Sequence, residues 1–276
     1  MTAPAPRPLV VLIAPDSFKG SLTSVEVAHA LATGWSRARP ADEILFAPLA
    51  DGGEGTLVAI EAAGGWTWHT ATVHDPDFHD IDARWLLRAD GRAAVIEMAT
   101  ASGLSLVPVE QRATVLHTTM GTGELIVAAL DAGVRDITLG IGGSATTDGG
   151  AGILTVLGAV FRSQDGAPVG GLPRPPVGAN LGGIATADLS GLDPRLSEVA
   201  LRIACDVANP LLGPTGAAAV YGPQKGASPD DVELLDDHLA TYADALEAAT
   251  GRRERDAPGA GAAGGTGFGL LCLRDR

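Results

Sequence analysis

Leu9-Val10-Val11-Leu12-Ile13-Ala14-Pro15-Asp16-Ser17-Phe18-Lys19-Gly20-Ser21-Leu22-Thr23-Ser24-Val25-Glu26 is the stretch on which the fold turns. Its first six residues form a short continuous apolar run, the pattern of a strand buried in a parallel sheet. Pro15-Asp16-Ser17 breaks that run. Thr23 followed three residues later by Glu26 is a capping box, which opens a helix. Val27, Leu31, Trp35 and Ala38 then share one face of that helix. A second apolar run, Ile44 to Leu49, ends in Ala50-Asp51-Gly52-Gly53-Glu54-Gly55, and a helix over about Thr56 to Ala63 follows. Residues 1–65 therefore read as two consecutive strand–loop–helix units of a parallel-sheet lobe. Each strand carries a loop at its C-terminal end, where open parallel sheets bind their ligands.

From residue 66 the pattern changes. Trp68 to Val73, Ala83 to Arg88 and Ala93 to Met98 read as strands, the last two joined at Asp90-Gly91, a strong hairpin signal. A helix over about Thr122 to Ala132 stops at Gly133. A strand over Asp136 to Ile141 runs into a glycine-rich loop ending at Gly150, and a helix leaves that loop at Ala151. Gly166 to Gly183 reads as an exposed excursion, and Leu201 to Asp206 as another strand. Ser228-Pro229-Asp230-Asp231 opens a helix, with Pro at its first position and acids in its first turn. The fold class is thus α/β in two lobes: a parallel-sheet lobe begun by residues 1–65, and a mixed-sheet α/β lobe over 66–276.

Composition narrows the function. The chain has 276 residues, a net charge of −14, 37 glycines and aromatics at 4%. The core is therefore mostly Ala, Val, Leu and Ile. Strong negative charge disfavours general affinity for nucleic acid or an anionic membrane, and no apolar run is long enough for a membrane span. Two cysteines, Cys205 and Cys272, form no disulfide framework, and no signal-peptide core is present, which points to the cytoplasm. Of 19 basic residues only two are lysines, Lys19 and Lys225, and each directly precedes a glycine. Lysine is a compact point charge that arginine does not imitate where backbone comes close.

Five segments share one design of small residues with one or two charged groups at an element's end. They are 15–22, 50–56, 140–150, 205–210 and 222–227. Glycines let backbone N–H groups converge on an anion, and a helix N-terminus adds partial positive charge. Carboxylates in such loops hold Mg²⁺ or accept a hydroxyl proton. The reading makes Lys19 and Lys225 anion contacts. It draws a carboxylate pair for metal and base work from Asp16, Asp51, Glu54, Asp148 and Asp206, with Asp51 first. Lys19, Asp51 and Asp16 are the catalytic candidates. Ser17, Gly52, Gly53, Glu54, Gly142, Gly143, Ser144, Asp148, Asp206, Asn209 and Lys225 are the binding candidates, and Asp148 and Asp206 the metal candidates. The competing reading is that these acids cap helices.

No Gly-Lys-Ser or Gly-Lys-Thr occurs, so the ordinary P-loop is excluded. Gly140-Ile141-Gly142-Gly143-Ser144-Ala145 follows a strand and has Asp165 about 20 residues beyond its middle, which leaves an NAD(P)-dependent oxidoreductase as an alternative. His74 and His79 flank Asp75-Pro76-Asp77, a polar turn more than a metal site, and Cys205 reads as a small core residue.

The segments 14–22, 48–56, 121–126, 140–150, 205–211, 222–227 and 259–265 together resemble those of the bacterial glycerate kinase family, in the same order and across essentially the whole chain. Met120 and Thr147 stand where that family's pattern has Tyr and Asn. The resemblance implies ATP-dependent phosphorylation of glycerate with Mg²⁺. It also implies a flavodoxin-like lobe plus a second α/β lobe, with the site between them. Family members continue past the segment 259–265, so the chain reads as C-terminally truncated. On that reading its N-terminal lobe lacks partner strands and is poorly packed, and an inactive remnant is a further alternative.

Overall fold

The computed structural model describes residues 7–18 and 20–273. Strand β1 (Val10–Ile13) pairs in parallel with β2 (Glu43–Phe46), and helix α1 (Ser24–Ala38) crosses between them. The capping box forms as the sequence predicts: Thr23 accepts from the Glu26 amide, and the Glu26 carboxylate accepts from the Thr23 amide at 2.8 Å. Strand alternation sends Val11 and Ile13 toward α1, where Ile13, Ala28 and Ala32 make a small core with Ile44. The alternate residues, Val10, Leu12 and Leu45, face outward and are exposed. Among the described residues this two-stranded sheet is therefore covered on one face only.

Helix α2 (Thr56–Ala62) departs from its expected place. The sequence assigns it to the N-terminal lobe, yet Leu57 packs with Leu86 and Val95 of the second sheet, flanked by Ile60, Trp66 and Trp68. The reason is apolar area: the two-stranded sheet offers α2 less to bury against than the larger sheet does.

That larger sheet contains β3 (Trp66–His74), β4 (Asp80–Arg88) and β5 (Ala93–Glu97), followed by a short helix α3 (Ala99–Ser102) and helix α4 (Met120–Asp131). Strand β6 (Asp136–Gly140), helix α5 (Ala151–Val156) and a small hairpin of β7 (Val160–Arg162) and β8 (Thr186–Asp188) come next. Strand β9 (Ala200–Ala204), α6 (Ala217–Tyr221), α7 (Pro229–Thr250) and α8 (Ala262–Leu271) complete the described chain. The sheet order is β3-β4-β5-β6-β9, antiparallel through β3-β4-β5 and parallel through β5-β6-β9. The Asp90 carboxylate accepts from the Arg92 amide and sets the β4–β5 hairpin.

Every residue of β5 is buried, because α2 covers one face and α4 the other. Ile96 packs toward α4 with Leu125, Ile126, Leu139 and Ile153. Val95 points the other way, and by period-two alternation so does Glu97. A second core gathers around α7, whose Leu235, Leu239, Tyr242 and Leu246 are all buried, as their spacing predicts. Phe268 of α8 packs edge-on to Tyr242 in this core.

These contrasts fix where stability resides. Leu139→Ala empties a fully buried site (0% exposed) and should lower the unfolding free energy by about 2–5 kcal/mol. Leu12→Ala, at a position 63% exposed, should change it by less than about 0.5 kcal/mol. Denaturant midpoints of the two variants check this.

Candidate active site

The C-terminal ends of β5, β6 and β9 converge on the loop 51–55 that leads into α2, and the approach is backbone against backbone. A side chain at Gly142 would put its Cβ 2.6 Å from Gly53 Cα, and one at Gly140 would lie 2.5 Å from the Gly52 carbonyl oxygen. At Gly52, whose φ is +90°, a Cβ would lie 2.6 Å from the Ala204 carbonyl. The Gly142 amide donates to the Gly52 carbonyl at 3.1 Å across this seam. Glycine is required at these positions because nothing larger lets the strands' loops touch.

Helix α2 has no side-chain cap of its own. Glu97, at the end of β5, supplies one: its carboxylate accepts from the Gly55 and Leu57 amides, each at 3.1 Å. Burial raises the Glu97 pKa above the ordinary carboxylate value, and the two amides offset part of that rise. A helix N-terminus favours the charged form placed there.

A cleft of about 750 Å³ opens over the seam. Ser17 lines it from the loop after β1, and Asp51, Gly53 and Glu54 from the loop after β2. Gly142, Gly143 and Ser144 line it from the loop after β6, and Asp206 from the loop after β9. Lys225 closes one side. Among the described residues the structure thus brings together most of those singled out from sequence. Asp51 is exposed and oriented by its own loop, its Oδ1 accepting from the Gly53 amide at 2.8 Å. Lys225 is buried, and its Nζ donates to Ser144 Oγ at 2.8 Å and to the Thr146 carbonyl at 2.7 Å. Burial lowers its pKa from 10.5 to about 7, opposed by the negative charge of Asp148.

Four positions fall elsewhere. Asp16 is exposed and turns back to accept from the Ser17 amide, so it shapes the turn and does not line the cleft. Gly52 contributes backbone to the seam only. Asn209 lies behind the wall: it accepts from the Tyr221 hydroxyl at 2.7 Å and donates to the Thr215 carbonyl, which holds Tyr221 in the lining.

Asp148 is fully buried and accepts four hydrogen bonds, from the Thr119 amide and hydroxyl and from the Gly150 and Gly152 amides. Its carboxylate ties the N-termini of α4 and α5 together, which is the capping role and not the metal role expected of it. Burial nonetheless raises its pKa. Lys19 lies outside the described residues.

The sequence reading passed over Arg112, Tyr221 and Cys205 as lining residues. Cys205, expected in the core, is exposed because β9 ends one residue earlier, at Ala204. Arg112 belongs to no motif, and the available signal for Glu97 was a lone acid ending a buried apolar strand.

The dinucleotide alternative loses its basis here. Gly142 is small because it meets Gly53, not to admit a pyrophosphate, and α5 begins only at Ala151. Asp165 sits in an exposed turn, where it accepts from the Ser163 hydroxyl.

A two-lobed α/β scaffold whose loops gather carboxylates, glycines and a buried lysine over one cleft has the parts of a phosphotransferase. Residues 11–275 match the model of the glycerate kinase family, and the chain belongs to that family. A glycerate kinase of Bacillus subtilis is 48% identical over 261 residues, covering 95% of this chain and 67% of that protein. A glycerate 2-kinase of Escherichia coli is 46% identical over 263 residues, covering 95% of this chain and 68% of that one. The crystal structure of a glycerate kinase 2 from Salmonella typhimurium LT2 superposes with a TM-score of 0.86 at 46% identity, covering 97% of this chain and 70% of that one. The protein is a kinase. These matches take in 95% of this chain and about two thirds of each relative's length. Among the described residues no helix is long and apolar enough to cross a membrane.

Lys225 gives a pH signature. Its folded pKa, about 7, lies below the unfolded 10.5, so the unfolded chain takes up the proton first as pH falls. Its contribution to stability is complete above pH 10.5 and is lost progressively as pH falls to about 7. The unfolding free energy of wild type minus that of Lys225→Met should therefore rise between pH 7 and 10.5. The slope should approach about 1.4 kcal/mol per pH unit, with a flat region below that window. Denaturant titrations at stepped pH measure it.

Proposed function

We propose that the chain transfers the γ-phosphoryl group of ATP to a hydroxyl of glycerate, giving ADP and a phosphoglycerate, in the cytoplasm. The observation that carries this reading is the convergence of Ser17, Asp51, Glu54, the 142–144 loop, Asp206 and Lys225 on one cleft between the lobes. Matches to relatives named glycerate kinase support the acceptor.

In this reading the 142–144 loop and Lys225 cradle phosphate oxygens. Lys225 has two acceptors inside the protein, Ser144 and Thr146, which aim its ammonium while leaving it a further N–H to donate. Asp51 takes the proton of the acceptor hydroxyl as the oxygen–phosphorus bond forms and the bond to ADP breaks. The Gly53 amide fixes one oxygen of Asp51, so the carboxylate is oriented before substrate arrives. Lys19 is proposed as a second phosphate or carboxylate contact.

Among the described residues no cluster of three or more His, Cys, Asp or Glu could hold a metal ion by itself. Mg²⁺ takes one or two protein carboxylates and completes its shell with phosphate oxygens and water. Asp206 and Glu54, both exposed in the cleft, are the side chains to hold it. Bound there, Mg²⁺ would offset negative charge on the phosphate oxygens.

The test is ADP and phosphoglycerate formation by the purified chain, each requiring both ATP and glycerate. Asp51→Asn keeps the acceptor that holds the Gly53 amide and removes the base. It should lower kcat at least about 100-fold while leaving the thermal midpoint unchanged. A fully active Asn variant would reject Asp51 as the base. ATP binding without any turnover by wild type would instead favour a binding-only remnant.

A further inference from the structure

The cleft is rich in carboxylates: Asp51, Glu54, Glu26 and Asp206 all line it. Among its described lining residues only Arg112 and Lys225 are cationic. Lys225 is engaged by Ser144 and Thr146. Arg112 is not held in this way. Its guanidinium makes one described hydrogen bond, from Nη1 to the Gln224 carbonyl at 3.4 Å, which is long for such a bond. Its Nε is buried without a partner. Arg39, Arg88, Arg135, Arg195, Arg202 and Arg255 each pair with a carboxylate, whereas no described ion pair holds Arg112.

The backbone of Arg112 is nonetheless fixed. Gly226, at φ +91°, packs directly on the Arg112 carbonyl, and any Cβ there would clash with it. The segment bearing Arg112 and the loop bearing Lys225 are thus locked against each other. A half-buried guanidinium with an unsatisfied donor is costly unless a ligand completes it. Its planar fork matches a carboxylate, which can accept two parallel hydrogen bonds.

Charge decides which ligand that is. The phosphates of a nucleotide arrive with a divalent cation that offsets their charge. The carboxylate of a small hydroxy acid has no such companion, and four carboxylates of the cleft repel it. It needs a cation that the protein has left unpaired. Resting on the reading of this cleft as a glycerate-phosphorylating site, we propose that Arg112 binds the acceptor's carboxylate and makes the enzyme select a hydroxy acid over a neutral polyol.

Calorimetric titration of the full chain with glycerate and with glyceramide, its uncharged amide, tests this without requiring turnover. Wild type should bind glycerate about 100-fold more tightly than glyceramide. Arg112→Met should weaken glycerate to the level of glyceramide and leave glyceramide affinity within about threefold, since only the charged partner has lost its contact. Arg112→Lys should recover part of the preference. An unchanged thermal midpoint in both variants shows that the fold survives. Equal affinity of wild type for acid and amide, or parallel loss of both ligands in Arg112→Met, overturns the proposal. So does a loss of ATP affinity with glycerate binding intact, which would place the residue at the nucleotide. ATP- and glycerate-dependent ADP formation by wild type is measured alongside. Its absence, with the binding preference intact, would reject phosphoryl transfer and leave carboxylate recognition standing.

Discussion

The close contact between the loop after β2 and the loop after β6 is the constraint on which the rest of the structure depends. Gly52 and Gly53 meet Gly140 and Gly142 with no side chain between them, and one amide–carbonyl hydrogen bond joins the two loops. Because the contact is made by backbone, the loops cannot slide to accommodate a larger residue, as two side chains could. This seam brings Asp51 and Glu54, which follow the small sheet, within one cleft with Ser144, which follows β6 of the large one, and with Lys225, which is bonded to Ser144. The N-terminal unit adds little apolar core of its own, so its position relative to the site relies on the seam and on α2 docking to the large sheet.

Three buried charged groups hold this arrangement, each through backbone or hydroxyl partners. Glu97 caps α2, Asp148 joins the first turns of α4 and α5, and Lys225 is tied to Ser144 and Thr146. Glu97 and Lys225 bond residues that themselves line the cleft, Gly55 and Ser144. Burying such groups is unfavourable in itself and is tolerated because each is satisfied by hydrogen bonds. The result is a cleft whose lining is set before any ligand binds, as electrostatic stabilisation of phosphoryl transfer requires.

Much of this was legible in the sequence. The strand at 10–13, the cap at Thr23, the Asp90 hairpin and the buried stripe of α7 are all local patterns, and local patterns survive folding. The cleft loops were legible too, because glycines beside acids at strand ends have few other uses in an α/β protein. What was not legible depends on direction. Asp148 and Asp51 both sit next to glycines, yet one faces the interior and the other the cleft. Only the placement of α4 and α5 decides that. Helix α2 follows β2 in sequence but buries its apolar face against β4 and β5, which no local period reveals. Arg112 comes from an irregular stretch after two 3₁₀ turns and owes its place in the cleft to long-range contact with Gly226.

The most direct measurement is glycerate-dependent ADP formation by Gly142→Ala beside wild type, with the thermal unfolding of each. One added methyl at the seam must push the two loops apart, since its carbon would sit 2.6 Å from Gly53 Cα. Displacing catalytic groups by about 1 Å costs on the order of 100-fold in rate. Loss of at least that much kcat/KM, with cooperative unfolding of the large lobe retained, is the result required if the seam assembles the site. Near-normal turnover in Gly142→Ala would contradict it, and would mean that the cleft does not depend on the contact between the two loops.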